Sequence, residues 1–153
     1  MARATYQLNI VTPEKSVFDG EVSSSTLPGE AGYLGVWAHH APMVAALIPG
    51  VLTVHEGASE SPTREWAIGG GFAQVADNKM ILIVDSAEDQ GEIDVARAEA
   101  SLQRAKEHLR EALTDKSIDA DRALAAKERA EARLKVAYTR DKRPITAADI
   151  QAA

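Results

Sequence analysis

The chain has no cysteine among its 153 residues. Disulfide bonds, metal sites built on thiolates and a cysteine nucleophile are therefore excluded, which fits a reducing compartment. Long hydrophobic runs are missing too. The longest run, Met43 to Ile48, ends at Pro49-Gly50 and falls far short of the roughly 20 apolar residues that span a bilayer. We therefore expect no membrane-spanning segment.

Positive charge is scarce in the first part of the chain. Residues 1–90 carry four Lys and Arg against eleven Asp and Glu, whereas residues 91–153 carry thirteen against twelve. A net charge of -6 repels a phosphate backbone, so we expect no nucleic-acid partner. The N-terminus has no apolar signal core and no Arg-rich amphipathic leader, so we expect a mature cytoplasmic chain.

Short runs of strand-like alternation fill the first part of the chain. Tyr6, Leu8 and Ile10 follow the period-two pattern of a half-buried strand. Similar runs, separated by turn residues, are Val22–Leu27, Tyr33–Val36, Val44–Ile48, Val51–His55, Arg64–Ile68, Phe72–Val75 and Met80–Val84. Many short strands without intervening helices indicate an antiparallel sandwich or barrel, and the fold class that we predict is an all-β sandwich of two antiparallel sheets.

After Gly91, the last glycine, the periodicity becomes helical. Apolar residues recur at three- and four-residue steps in two stripes: Val95, Ala98, Leu102, Ala105, Leu109 and Ala112, then Ala123, Ala126, Ala130, Leu134 and Ala137. Asp94 and Asp119 are placed to cap the two helices, and residues 114–117 interrupt the pattern between them. We therefore predict a sandwich domain at 1–91, an antiparallel α-helical hairpin at 92–139 and a loosely held tail at 140–153.

Alanine dominates both helical stripes. Alanine favours the individual helices, but its single methyl group removes far less area from water than a leucine, whose full burial is worth roughly 1.5–3 kcal/mol. The hairpin should therefore dock weakly, and its helices could separate from their neighbours without melting.

Five motifs in this order and spacing closely resemble the epsilon subunits of the F-type ATP synthases. They are Val11 to Glu14 with Phe18 to Gly20, Gly29 to Val36, His40 to Met43, Gly70 to Val75, and Ile93 to Ala98. The resemblance covers about residues 5–139. Each motif alone is weak, but five in order are not explained by chance.

The resemblance implies a non-catalytic rotor subunit of the proton-translocating ATP synthase. Its sandwich would bind the gamma subunit through His40 and rest on the membrane c ring through Glu30 and Tyr33, which stands where some members carry an acid. Its helices would lie folded on the sandwich or extend into the alpha/beta catalytic head, where they inhibit ATP hydrolysis. The position would be peripheral, at the cytoplasmic face of the inner (plasma) membrane, and the missing leader favours a bacterial or plastid-encoded subunit.

The same resemblance implies a regulatory ATP site, although no cofactor is required. The matching positions are Glu88, Ile93, Asp94, Arg97, Ala98, Arg104, Arg129 and Arg133. Bound ATP would hold the hairpin folded and would not be hydrolysed, because nothing in the sequence supplies a base or a metal site.

The spacing of the arginines allows two interpretations. Arg97 and Arg104 share one face of the first helix, and Arg129 and Arg133 share one face of the second, so folding could bring four guanidiniums to one anion. Alternatively, the arginines form a solvated face paired with glutamates (Glu99, Glu128 and Glu131), and Asp94 is only a helix cap.

Three further features have structural explanations. His39 and His40 are adjacent and point to opposite sides of an extended chain, so they do not form a metal pair. The run Gly69 to Gly71 lacks the Lys and Ser/Thr of a phosphate loop and is a turn or a close backbone approach. Trp37 and Trp66 suit either a core or an interface.

Two other functions stay open from sequence alone. One is a free-standing ATP-sensing module in which the arginine cluster is primary. The other is a small hydrolase using His40 with Asp77 or Asp85, for which no nucleophile motif is present.

Overall fold

A computed structural model describes residues 3–57 and 63–138 of the chain. Its strands are β1 Tyr6–Val11, β2 Ser16–Gly29, β3 Gly32–Trp37, β4 Met43–Glu56, β5 Thr63–Ala76, β6 Lys79–Val84 and β7 Ala87–Asp89, and its helices are α1 Val95–Glu111 and α2 Ala120–Tyr138. The predicted sandwich followed by a helical hairpin is confirmed. The predicted tail at 140–153 lies outside the described residues.

Three long strands, β2, β4 and β5, bend and contribute to both layers of the sandwich. One layer contains β1, β6, the first halves of β2 and β4 and the second half of β5, and the other layer contains β3, β7 and the remaining halves. The runs Val44–Ile48 and Val51–His55, predicted as separate strands, are the two halves of β4, and β5 joins two predicted strands in the same way. Two layers therefore share one connected set of ladders.

The pairing departs from the antiparallel expectation at one place. β1 pairs in parallel with β6, while its other neighbour, β2, is antiparallel. The ladders close a ring through β1, β2, β4, β5 and β6. In a closed ring with an odd number of strands, the strand direction cannot alternate at every pair. At least one pair of neighbours must therefore be parallel.

The Gly69 to Gly71 run lies inside β5, where the strand passes from one layer to the other. Gly70 and Gly71 have φ values of 99° and 148°, which L side chains rarely adopt. A Cβ on Gly71 would collide with the carbonyl oxygen of Ile83 in β6. The run is therefore a close backbone approach and not a turn between two strands.

The space between the layers is filled by inward-facing side chains. Trp66 is completely buried and is among the largest members, together with Leu8, Ile10, Leu27, Leu52, Ile68, Met80 and Leu82. Trp37, by contrast, is 62% exposed on β3. Of the two tryptophans, Trp66 is thus a core residue and Trp37 is a surface residue.

The helices begin where their capping residues predicted. The side-chain oxygen of Asp94 accepts from the Arg97 backbone N–H at 3.1 Å, and Asp119 accepts from the Arg122 N–H at 3.1 Å. The hairpin core is formed from both predicted stripes: Val95, Ala98, Leu102, Ala130 and Leu134.

A second buried face of α2 was not predicted. Ala132 and Val136 pack against Ala67 and Val51 of the sandwich and against Ile93, which precedes α1. The predicted stripe missed the two α2 residues because one amphipathic stripe describes a helix with one neighbour. α2 lies between α1 and the strands β4 and β5, so the hairpin is folded onto the sandwich.

The phenol of Tyr6 is a titratable group that lies buried in the sandwich core, so it makes the stability of the fold depend on pH. Its hydroxyl donates to Ser25 Oγ at 2.5 Å, and burial raises the pKa of Tyr6 to about 12, although the Ser25 hydrogen bond opposes that rise. The neutral phenol therefore stabilises the fold fully below pH 10, and this contribution is lost as the pH rises from about 10 towards 12.

We expect Tyr6→Phe to flatten the decline of stability at high pH. By about pH 11 the wild type should have lost about 1 kcal/mol that the variant does not lose. Urea unfolding followed by intrinsic fluorescence at a series of pH values checks this. Tyr33→Phe, which removes an exposed phenol, is the control and should decline as the wild type does; equal slopes for all three proteins would contradict the assignment.

Candidate nucleotide pocket and partner surfaces

A cavity of about 410 Å³ opens where the end of the sandwich meets both helices. Its lining residues are Glu88, Glu92, Asp94, Arg97, Ala98, Ser101, Arg104 and Arg133. The volume lies within the usual range of small-molecule pockets, roughly 300–1,000 Å³. Most of the lining side chains are charged, so the cavity is suited to a polar, multiply charged ligand.

The cavity is closed on one side by a salt bridge between the sandwich and α2. Arg133 Nε donates to Glu88 Oε1 at 2.8 Å, and both side chains are about 30% exposed, at 30% and 28%. Next to it, the Gln90 amide donates to the Val136 carbonyl at 3.0 Å. These two contacts tie the β7 end of the sandwich to α2, so the geometry of the cavity depends on the hairpin being folded.

Six of the eight predicted nucleotide-site residues line this cavity. They are Glu88, Asp94, Arg97, Ala98, Arg104 and Arg133. Ile93 instead belongs to the apolar cluster under α2. Arg129 is not among the lining residues, so three of the four predicted guanidiniums converge.

Two lining residues, Glu92 and Ser101, were missed from the sequence. Ser101 Oγ accepts from Arg104 Nη2 at 3.1 Å. Its position four residues after Arg97 and three before Arg104 places it on the same helix face, so helical spacing alone could have identified it.

Positive and negative side chains are equal in number in the cavity. Three guanidiniums (Arg97, Arg104 and Arg133) face three carboxylates (Glu88, Glu92 and Asp94). Asp94 already caps α1, and Glu88 is bound to Arg133. An entering anion would therefore compete with Glu88 for Arg133, while Arg97 and Arg104 have no carboxylate partner within ion-pair distance among the described residues.

The β2–β3 hairpin presents the two residues expected at the c ring. Glu30 is exposed in the turn, Gly32 has a φ of 124°, and the Tyr33 side chain is 60% exposed. Tyr33 also borders a small groove of about 150 Å³ whose far wall is α2, with Glu131 and Lys135 among the lining residues. The predicted c-ring surface therefore lies beside the docked helix.

The sandwich carries an exposed apolar face that was not predicted from the sequence. Val44, Phe72, Ile81 and Ile83 are 73%, 59%, 41% and 59% exposed. Phe72 is the register partner of Ile83, and Gln74 is the partner of both Val44 and Ile81, so these side chains share one side of β4, β5 and β6. We call these four residues the outer apolar face.

One signal in the sequence could have found this face. The run Met80 to Val84 is apolar at every position, whereas a strand with one solvated face alternates. Met80, Leu82 and Val84 fill the core, so Ile81 and Ile83 must point outward. Apolar residues on both faces of a strand indicate that the outer face is covered by something else.

His40, the residue expected to contact gamma, lies in the loop that leads from β3 into β4. It is half-buried, and its Nδ1 is 2.7 Å from the Ala41 carbonyl oxygen. The loop ends at Met43, directly before Val44 of the outer apolar face. His40 therefore lies at the margin of that face.

The described part of the chain contains neither a cluster of metal ligands nor a membrane-spanning helix. Residues 3–57 and 63–138 contain no group of three or more His, Cys, Asp or Glu side chains arranged to hold a metal ion. Within the same residues, neither α1 nor α2 is long and apolar enough to cross a membrane.

The sandwich matches a family known from many proteins. Residues 5–90 match the beta-sandwich domain of the delta/epsilon chain of ATP synthase. The fold is also similar to that of a chain in the cryo-EM structure of the Euglena gracilis mitochondrial ATP synthase, OSCP/F1/c-ring in rotational state 1. The TM-score is 0.74 at 24% identity, over 90% of this chain and 84% of that one.

Closer relatives identify the member of this class. The ATP synthase epsilon chain of Anaeromyxobacter sp. (strain K) is 45% identical over 85% of this chain and 96% of its own length. That of Moorella thermoacetica is 40% identical over 88% and 97%. The chain therefore belongs to the ATP synthase epsilon chains, and it is a non-catalytic subunit of the synthase.

Proposed function

We propose that the chain is the epsilon subunit of the rotor in a proton-translocating F-type ATP synthase. In this role it couples the gamma subunit to the c ring, and its helices restrain ATP hydrolysis. The observation that carries the proposal is the outer apolar face, exposed on a sandwich whose opposite layer is covered by its own α2. In a free chain such a face would stay in contact with water, whereas in a permanently assembled subunit it can be buried against a partner.

The outer apolar face is the proposed gamma-binding surface. Contiguous exposed apolar residues on a soluble domain commonly mark protein interfaces. Phe72 lies on the middle strand, β5, between Ala46 of β4 and Ile83 of β6, and it is the aromatic member of the face, the kind of residue that dominates binding energy near the centre of an interface. His40 at the margin adds a polar contact, in agreement with the expected gamma contact.

A charge on the outer apolar face should prevent gamma binding. We expect Phe72→Glu to weaken binding of purified gamma at least a hundredfold, since loss of a central aromatic anchor costs about 2 kcal/mol or more and the added carboxylate must also be desolvated. Surface plasmon resonance with immobilised gamma gives the affinity.

The matched control for this experiment is Leu113→Glu. Leu113 is 83% exposed near the C-terminal end of α1, distant in the chain from the sandwich. This variant should bind gamma as the wild type does. Equal weakening by both substitutions, or none by Phe72→Glu, would contradict the proposed surface.

The c ring is the proposed partner of the β2–β3 hairpin. Glu30 and Tyr33 are exposed at its tip, and a two-residue turn keeps the tip narrow. Tyr33 supplies a large amphipathic side chain and Glu30 a charge, which together suit a polar loop surface of a membrane ring. The subunit would then sit peripherally at the cytoplasmic face of the inner membrane.

The hairpin folded onto the sandwich is the proposed state in which the helices do not inhibit ATP hydrolysis. Its apolar contact with the sandwich is small: Ala67, Ala132 and Val136 are the fully buried members, supported by Val51 and Ile93. Such a contact can be exchanged for contacts with the alpha/beta head, because a switch needs two states that differ by only a few kcal/mol.

Removal of the helices should release hydrolysis without loss of assembly. With a reconstituted alpha/beta/gamma head, we expect the full-length chain to inhibit ATP hydrolysis and a chain truncated after Gly91 to bind without inhibiting. Steady-state phosphate release measures inhibition, and gel filtration measures binding. Inhibition by the truncated chain would assign the inhibitory role to the sandwich, and an unfolded truncated chain would contradict the boundary at residue 91.

ATP is the proposed regulatory ligand of the charged cavity. Arg97 and Arg104 lie one above the other on α1 and can bind phosphate oxygens as planar, permanently charged forks. Arg133 reaches the same cavity from α2. A ligand that binds both helices stabilises the folded hairpin by mass action. Abundant ATP would therefore weaken the inhibition of ATP hydrolysis by the helices.

We expect Arg97→Ala to weaken ATP binding to the isolated full-length chain about tenfold to a hundredfold, because it removes a charge-assisted pair. Isothermal titration calorimetry with ATP measures the effect. Arg129→Ala removes the same charge from α2 outside the cavity and should leave the affinity within about twofold. If Arg129→Ala is as damaging as Arg97→Ala, the ligand does not occupy this cavity; if the wild type does not bind ATP, the arginines are a solvated face.

A further inference from the structure

Asn78 connects three segments that are distant in the sequence. It lies in the turn between β5 and β6, and its backbone carbonyl accepts from the Gln7 N–H at 3.2 Å. Its side-chain Nδ2 donates to the Thr5 carbonyl at 3.0 Å, and its Oδ1 accepts from the His39 N–H at 2.8 Å. One carboxamide therefore uses both of its ends to hold the start of β1 and the loop before β4.

The loop held in this way has an uncommon backbone conformation. His39 has a φ of 62°, in the left-handed region that residues with a Cβ sparsely populate. The following residue, His40, closes a turn by donating its N–H to the Trp37 carbonyl at 3.3 Å. Surrounding contacts are needed to maintain such a conformation, and the side chain of Asn78 is the hydrogen-bond partner of His39.

The loop held by the His39–Asn78 hydrogen bond lies next to the outer apolar face. The loop runs from Trp37 into β4, so His40 lies just before the strand that contributes Val44 to the outer apolar face, while Met43 packs against the core. The turn that carries Asn78 joins the two strands that contribute Phe72, Ile81 and Ile83 to that face. Asn78 thus links the apolar surface to the polar loop beside it.

We propose that Asn78 is a positioning residue for gamma binding: its carboxamide holds the His39–His40 loop in the binding conformation before the partner arrives. The inference rests on the proposed gamma-binding function. A loop that is already ordered loses less entropy on association, so the hydrogen bond strengthens binding without touching the partner.

The test compares three variants of the full-length chain. Asn78→Gly removes the carboxamide but suits the turn, because Asp-Gly is a favoured pair where both central residues have positive φ, as Asp77 and Asn78 do at 51° and 57°. Asn78→Asp keeps an oxygen that can accept from the His39 N–H. Asp77→Gly is the matched control in the same turn.

We expect Asn78→Gly to bind gamma roughly three- to tenfold more weakly than the wild type, the equivalent of losing one or two hydrogen bonds. Asn78→Asp should bind more tightly than Asn78→Gly, and Asp77→Gly should match the wild type. Hydrogen exchange should show faster exchange of the His39 amide in Asn78→Gly than in Asp77→Gly, which a general loss of stability would not produce.

The outcomes separate this inference from the function on which it rests. If Asn78→Gly binds gamma as tightly as the wild type, or leaves the exchange of the His39 amide unchanged, the positioning role is overturned and gamma binding stands. If the wild type and Asp77→Gly also fail to bind gamma, the proposed function is overturned together with the inference.

Discussion

The closure of the sheet by three bent strands is the constraint on which the rest of the structure depends. β2, β4 and β5 each pass from one layer to the other, and at Gly71 the backbone of β5 comes so close to β6 that no side chain could be accommodated. The closed sheet leaves the domain with two outer faces that differ in what covers them. One is covered by α2, and the other carries Val44, Phe72, Ile81 and Ile83 in solvent.

The two faces suit the proposed function, in which one small subunit is both firmly assembled and switchable. An interface built on the rigid outer apolar face has large side chains with fixed positions and needs no rearrangement. The contact between α2 and the sandwich relies on Ala132, Val136 and Ala67, together with the Glu88–Arg133 salt bridge. A partly exposed ion pair stabilises by only about 1 kcal/mol or less, so the second contact is much easier to break.

The charged cavity lies across the contact that is easier to break. Its walls come from the end of the sandwich, from α1 and from α2, so it exists in this form only while the hairpin is docked. Glu88 has two roles there: it lines the cavity, and it forms the salt bridge with Arg133 when no ligand competes for that arginine. A ligand that displaces Glu88 would break this salt bridge, and the proposed regulation requires that the ligand's own contacts stabilise the folded hairpin by more than the lost ion pair did.

The sequence by itself determined the helices, most of the strands and the family, although it divided β4 and β5 into separate strands. Strand alternation, the caps at Asp94 and Asp119, and the arginine spacing on α1 all follow from interactions within a few residues, and the family motifs are contiguous. Only the tertiary structure decided that Trp66 is buried while Trp37 is exposed, that α2 buries a second face through Ala132 and Val136, and that Arg133 but not Arg129 reaches the cavity. Each of these depends on which other segment a side chain meets, and that is set by the bending of the strands and the direction in which the hairpin folds back.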